Sequence, residues 1–195
     1  MSTWQAPAGD GHTPLSPDDR EGLLQSHIAT RDDLNDAEQR NIAKALRRRA
    51  PTVDMLLDDK YLRDLHAAMF GEVWSWAGRY RKRETNIGVS PAQIVPTLRL
   101  LTQDAKAWVE FRSFEPEELA VRFHHRLVQI HPFSNGNGRH SRICADFLVE
   151  VLGRDPFSWG SQSFPETDKL RGAYLMALRI ADGGDVSELL SFARR

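Results

Sequence analysis

The chain has 195 residues, 41% of them hydrophobic and 27% charged, with 26 basic against 27 acidic side chains. That length can bury one substantial core, and the balanced charge excludes a dominant nonspecific nucleic-acid surface. A single cysteine, Cys144, excludes an intrachain disulfide, and no apolar run approaches the ~18 residues of a membrane span.

In chain order, residues 1–15 are polar and rich in Gly and Pro and read as a flexible N-terminal arm, with one domain over 16–195. The first eleven residues lack the apolar core of a secretion signal, so a cytoplasmic location is expected. Ser16 and Pro17 can cap and open a short helix running to Ile28. Thr30 with Asp33 resembles a capping arrangement, followed by an apolar side of Leu34, Ala37, Ala45 and Leu46 and a stop at Pro51. The Arg47, Arg48, Arg49 run fits the negative end of that helix. Tyr61, Leu62, Leu65, Met69 and Phe70 define another helix. Residues 80–90 show no helical stripe, and Asn86 with Gly88 permits either a short β-hairpin or a plain surface loop.

Pro96 is expected to open the next helix, with Leu98, Leu101, Ala105, Trp108 and Val109 inward. Glu115 and Pro116 start a pattern of Leu119, Ala120, Phe123, Leu127 and Ile130, which Pro132 cannot continue. Ile143, Phe147, Leu148 and Val151 form a further stripe ending at Gly153. Leu170, Ala173, Tyr174, Ala177 and Leu178 mark a late helix stopped by Gly183 and Gly184. The fold class is therefore mainly α, without internal repeats or an interdomain linker.

Between two of these helical patterns lies His-Pro-Phe-Ser-Asn-Gly-Asn-Gly-Arg-His-Ser-Arg at 131–142. Gly136 and Gly138 allow backbone conformations closed to other residues, so that amide hydrogens can converge on an anion. The following helix N-terminus favours phosphate. Arg139 and Arg142, three apart in its first turns, can face the same anion with planar forks. His131, at the other lip, has the chemistry of a general base. No Gly-Lys-Ser/Thr follows the glycines, so the loop is not a Walker A sequence. His124 and His131 are seven apart and can share a helix face, but no His-Glu-x-x-His pattern or cysteine pair indicates zinc. Cys144 falls within a helical pattern and reads as a buried thiol.

The motif is similar to the Fic/Doc family signature His-Pro-Phe-x-(Asp/Glu)-Gly-Asn-Gly-Arg-x-x-Arg, departing from it at Asn135. The resemblance extends to Met-Phe-Gly-Glu-Val-Trp-Ser-Trp-Ala-Gly at 69–78 and Asn-Ile-Gly at 86–88. The opening at 30–39, Thr-Arg-Asp-Asp-Leu-Asn-Asp-Ala-Glu-Gln, resembles the small bacterial mobile mystery protein B subgroup. The resemblance implies a single-domain helical bundle with a β-hairpin flap, in which Thr85, Asn86, Ile87 and Gly88 dock a target polypeptide as an added strand. It implies ATP as substrate with Mg²⁺, and transfer of AMP to a Ser, Thr or Tyr hydroxyl. His131 would be the base, Phe133 the inward anchor and Asn135 the metal position. Gly136, Asn137, Gly138, Arg139 and Arg142 would hold the nucleotide phosphates. Asn135 offers a neutral oxygen to the metal where the family has an anionic one.

Family members often carry an inhibitory Ser/Thr-x-x-x-Glu-Gly/Asn helix. Here Glu21 and Gly22 match its end while Pro17 replaces the hydroxyl residue, leaving Glu21 as a regulatory position that would pair with Arg142. An antitoxin-like regulatory protein is the alternative partner, and oligomeric state stays open. The rival functional readings are a Doc-like protein kinase, disfavoured by the two intact glycines, and a catalytically silent nucleotide- or partner-binding module.

Overall fold

A computed structural model describes residues 17–47, 50–160 and 167–195. The expected arm over 1–15, together with Ser16, Arg48 and Arg49, lies outside the described residues. Helices run in the order α1 Pro17–Glu21, α2 Arg31–Ala45, α3 Val53–Leu56, α4 Asp59–Phe70, α5 Ile94–Glu110, α6 Pro116–Ile130, α7 Asn137–Val151, α8 Thr167–Ala181 and α9 Ser187–Arg194.

Local chemistry sets most boundaries. Asp33 N–H donates to Thr30 Oγ1 at 3.1 Å while Thr30 N–H donates to Asp33 Oδ2 at 2.9 Å, a reciprocal box at the start of α2. Thr52 and Asp58 cap α3 and α4 with their side chains. Two expected boundaries move. The first helix stops at Glu21 rather than Ile28, because the next residues pair elsewhere: Leu24 N–H donates to Val73 O and Ser75 N–H to Gly22 O, an isolated antiparallel bridge. Pro96 sits inside the first turn of α5, where its missing N–H would have no helical partner anyway; Pro91 opens the preceding 3₁₀ turn, Pro91–Gln93.

The motif loop joins α6 to α7, the most extensively packed pair; α2 lies on α4, α8 on α9 and α5 on α6. On α6 the inward face is the expected one, with Leu119, Ala120, Phe123, Leu127 and Ile130 all buried. On α7 Leu148 is buried as expected, but its deepest neighbours are His140, Ser141, Cys144, Ala145 and Val149, while Val151 is exposed. The stripe is rotated because α7 buries its polar first turn under the motif loop. Each fully buried Leu or Phe contributes about 1.5–3 kcal/mol relative to exposure. Gly153, at φ 83°, ends α7, and Gly184, at φ 93°, follows α8. Helix α9, which has no counterpart in the sequence reading, closes the bundle by accepting the Ser158 and Trp159 N–H groups on Ala193 O.

The hairpin expected over 80–90 does not form: these residues carry no strand pairing with one another. Their polar backbone groups bond instead to the motif entry, Arg81 N–H to Pro132 O at 2.9 Å and Val89 N–H to Ile130 O at 3.3 Å. The buried Arg81 side chain occupies the carbonyls of Arg83 and Val89. A ladder within the loop would need those same groups.

Candidate active site

His131 is the C-cap of α6 and adopts a left-handed backbone, φ 52° and ψ 60°. For a residue with a Cβ that conformation costs on the order of 1–2 kcal/mol, so the surroundings must impose it. Pro132 disfavours the helical region for its predecessor, and Arg81 Nε donates to His131 O at 2.7 Å. The imidazole is buried, and its pKa falls to about 4, first from desolvation and then from the Arg81 charge. At neutral pH the ring is therefore uncharged and able to accept a proton.

Phe133 turns inward and is fully buried, stacked on His66 with ring centroids 3.7 Å apart and set edge-on to His140 at 5.2 Å. Asn137 clasps the loop: its Oδ1 accepts from Phe133 N–H at 2.9 Å and its Nδ2 donates to Phe133 O at 2.8 Å. With that side chain committed, Asn137 has only its backbone N–H to offer an anion.

Gly136 is the N-cap of α7 at φ 78°, and a Cβ there would lie 2.6 Å from the Phe70 ring. Gly138 differs from the expectation. It is helical, needs no positive φ, and leaves open space, with the Tyr174 hydroxyl 4.0 Å from where a Cβ would stand. Its role is close approach rather than backbone freedom. Asn135 Oδ1 accepts from Gly136 N–H at 2.6 Å, so the prospective metal ligand caps part of the nest itself.

The two arginines are held differently. Arg142 Nε donates to Gly138 O at 3.1 Å, and its guanidinium lies over the Tyr174 ring at 5.3 Å. Arg139 Nη1 pairs with Glu38 Oε2 at 2.6 Å and lies 4.8 Å over the Phe70 ring. Glu38 is buried in α2, and its other oxygen accepts from Trp74 Nε1 at 2.6 Å. Glu21 is exposed at the end of α1, and no ion pair joins it to Arg142 among the described residues. Among the described residues the carboxylate that meets a motif arginine is thus Glu38, on Arg139.

Three further residues shape the site without having been singled out in the sequence. Glu38, Arg81 and His66 all act from outside the motif. His66 Nε2 donates to Asn135 O at 3.0 Å while its Nδ1 accepts from Gly78 N–H at 3.0 Å, which assigns the tautomer of a fully buried ring. Burial, first, and then the charge of neighbouring groups keep its pKa well below 6.5. A signal existed for two of them. Glu38 lies four residues after Leu34 and His66 four after Leu62, each a polar residue inside an apolar stripe. Arg81 carried none, because its partners are backbone carbonyls.

Of the docking residues, Thr85 is half-buried with Oγ1 donating to Ile87 O at 2.5 Å, and Asn86, Ile87 and Gly88 are exposed. Gly88, at φ 108°, abuts the base: a Cβ there would lie 2.7 Å from His131 Cβ. The loop thus runs directly past the imidazole. Among the described residues no group of three or more His, Cys, Asp or Glu side chains could hold a metal, and no helix is long and apolar enough to cross a membrane.

The sequence profile of the Fic/DOC family matches residues 56–149. A protein adenylyltransferase Fic from Aedes aegypti is 28% identical over 137 residues, and one from Drosophila grimshawi 29% over the same length. Each alignment covers 68% of this chain, which spans about a quarter of the length of these relatives (26% and 27%). Among solved structures, Fic-1 of C. elegans superposes with a TM-score of 0.65 at 22% identity, covering 89% of this chain and 51% of that one. The BepC effector of Bartonella tribocorum, solved with AMPPNP, gives 0.66 at 17% identity over 90% of this chain and 95% of that one. A Bartonella quintana Fic domain with ADP gives 0.67 at 18% identity, covering 90% and 94%. With the motif loop between two packed helices, the family profile from the end of α3 into α7 and the shared helical fold, residues 56–149 of this chain match the Fic/DOC family domain.

Proposed function

We propose that this protein is an adenylyltransferase that moves AMP from ATP to a hydroxyl of a target polypeptide. The observation that carries the reading is the junction of α6 and α7, where a neutral imidazole lies beside a helix N-terminus bearing two arginines. A triphosphate seated on the first turn of α7 would meet the N–H groups of Asn137 and Gly138 and the guanidinium groups of Arg139 and Arg142. A Ser, Thr or Tyr hydroxyl brought along residues 85–88 would pass beside His131. There the hydroxyl oxygen attacks the α-phosphorus, the bond to the bridging oxygen of the β-phosphate breaks, pyrophosphate leaves, and His131 takes the hydroxyl proton. Positioning and neutralisation of developing charge supply the acceleration.

The relatives named adenylyltransferase and the neighbours that hold AMPPNP and ADP support the choice of substrate. Mg²⁺ fits here as an ion carried mainly by the phosphates, with Asn135 Oδ1 as one neutral oxygen ligand in exchange for its bond to Gly136. Bound in that way it would offset phosphate charge. The target would dock through backbone contacts on the exposed loop, in the cytoplasm.

Incubation with α-labelled and γ-labelled ATP, followed by mass spectrometry of the labelled protein, tests the proposal. Retention of the α label with a mass gain of about 329 Da supports it; a gain of about 80 Da would mean kinase chemistry. Binding of ATP without either label would mean a silent nucleotide-binding module.

A further inference from the structure

Arg81 stands outside the motif, yet its guanidinium touches the backbone on both sides of the base. Nε donates to His131 O at 2.7 Å, and Nη2 reaches Ile130 O at 3.5 Å. The same Nη2 donates to Val89 O, and Nη1 donates to Arg83 O at 2.8 Å. Its own N–H donates to Pro132 O at 2.9 Å. One planar fork thereby spans residues 130, 131, 83 and 89, which no ammonium group could do. The side chain is buried, and Glu84 is the nearby opposite charge. Gly88 presses on the same junction from the loop side: a Cβ at that residue would stand 2.7 Å from both Arg81 Nη2 and His131 Cβ.

We propose that Arg81 is a positioning residue for the transfer reaction, tying the left-handed backbone of His131 to both arms of the 80–90 loop. The posture of the proton acceptor and the seat of the incoming polypeptide are then set by one side chain. A target that straightens the loop must pull on Val89 and Arg83, and through Arg81 on His131. This rests on the reading of His131 as the base, but the linkage itself is geometric and can be observed without turnover.

The test compares the parent with Arg81→Lys, Arg81→Met and Gly88→Ala. Three quantities are measured: ATP binding by titration, kcat and KM for transfer, and the His131 side-chain resonance by NMR, assigned from its loss in His131→Gln. Since Arg81 does not touch the phosphate-facing turn, ATP affinity and the KM for ATP should stay within about threefold. Transfer should fall by about 10²-fold or more, the size expected when a reacting group is misplaced by about an ångström. The His131 resonance should move in all three variants. Arg81→Lys keeps the charge and loses the fork, so a kcat loss there that equals that of Arg81→Met assigns the effect to geometry.

Parent-like kcat and an unmoved His131 resonance in both Arg81 variants would overturn the proposal. Should those variants fail to fold, Arg81→Gln decides in the same way, because its shorter amide keeps a planar donor and loses the fork; Gly88→Ala meets His131 directly and only reports how tightly the junction is packed. If the parent itself transfers nothing from ATP, the adenylyltransferase reading fails. The NMR comparison still decides whether Arg81 governs His131.

Discussion

Acidification from pH 7.5 to pH 5 should remove a large part of this fold's stability, because four imidazoles are buried in their neutral form. His124 is held at about 3, His131 and His140 at about 4, and His66 well below the ordinary 6.5, in every case chiefly by burial. In the unfolded chain each takes a proton near pH 6.5; in the folded chain His124, His131 and His140 take none until about pH 4 or below, and His66 is shifted in the same direction by its burial. Between those values the unfolded state binds more protons, so the stability is complete above about pH 6.5 and is lost as pH falls. At pH 5 each of His124, His131 and His140 accounts for about 2 kcal/mol and the three together for about 6 kcal/mol, with His66 acting in the same direction. Asp146 works with the opposite sign. Burial raises its carboxyl to about 6, so between that value and 3.8 the folded state takes the proton first, returning about 1 kcal/mol at pH 5. The net loss from those three imidazoles with Asp146 included, about 5 kcal/mol, reaches the lower end of the whole stability of an ordinary domain, about 5–15 kcal/mol. Urea unfolding at pH 7.5 and pH 5, analysed by linear extrapolation, measures it. His140→Gln should reduce the loss by about 2 kcal/mol. A loss below about 2 kcal/mol for the parent would refute the argument, since it would mean that the buried rings accept protons at little cost.

Four further outcomes follow from the site. His131→Ala should retain the fold and ATP binding while transfer falls about 10²–10⁴-fold, the usual contribution of a general base; equal rates for mutant and parent would remove it from that role. Glu38→Ala should lower stability by about 3 kcal/mol, because it strips the partner from Arg139 and the acceptor from Trp74; Glu38→Gln, which keeps an oxygen for Trp74, should lose less in the same urea assay. Gly136→Ala should destabilise by at least about 2 kcal/mol, since φ is 78° and the new methyl meets the Phe70 ring; a melting temperature like that of the parent would contradict the geometry. Asn135→Asp should tighten Mg²⁺ binding in the presence of ATP by adding a hard anionic oxygen; an unchanged metal titration would show that position 135 does not face the metal.

The sequence by itself determined those features that depend on local chemistry. Thr30 and Asp33 mark a helix start because their side chains reach only the adjacent backbone, and the reciprocal box is present. Leu119, Ala120, Phe123, Leu127 and Ile130 share a face because the helical period allows no other arrangement, and all five are buried. The motif was legible as an anion-binding loop between helices because glycine, proline and paired arginines have strong local preferences. The tertiary structure decided the remainder. Residues 80–90 carried hairpin cues, but their backbone N–H groups found partners across the fold at Ile130 and Pro132, and two of their carbonyls took the Arg81 guanidinium within the loop. Gly138 looked like a site of backbone freedom and is instead a gap beneath Tyr174. The partner of Arg139 is Glu38, 101 residues away, whereas the family pattern had offered Glu21 as a partner for Arg142. Such pairings depend on which helix faces which, and a helical period records only that a face is buried, not what it is buried against.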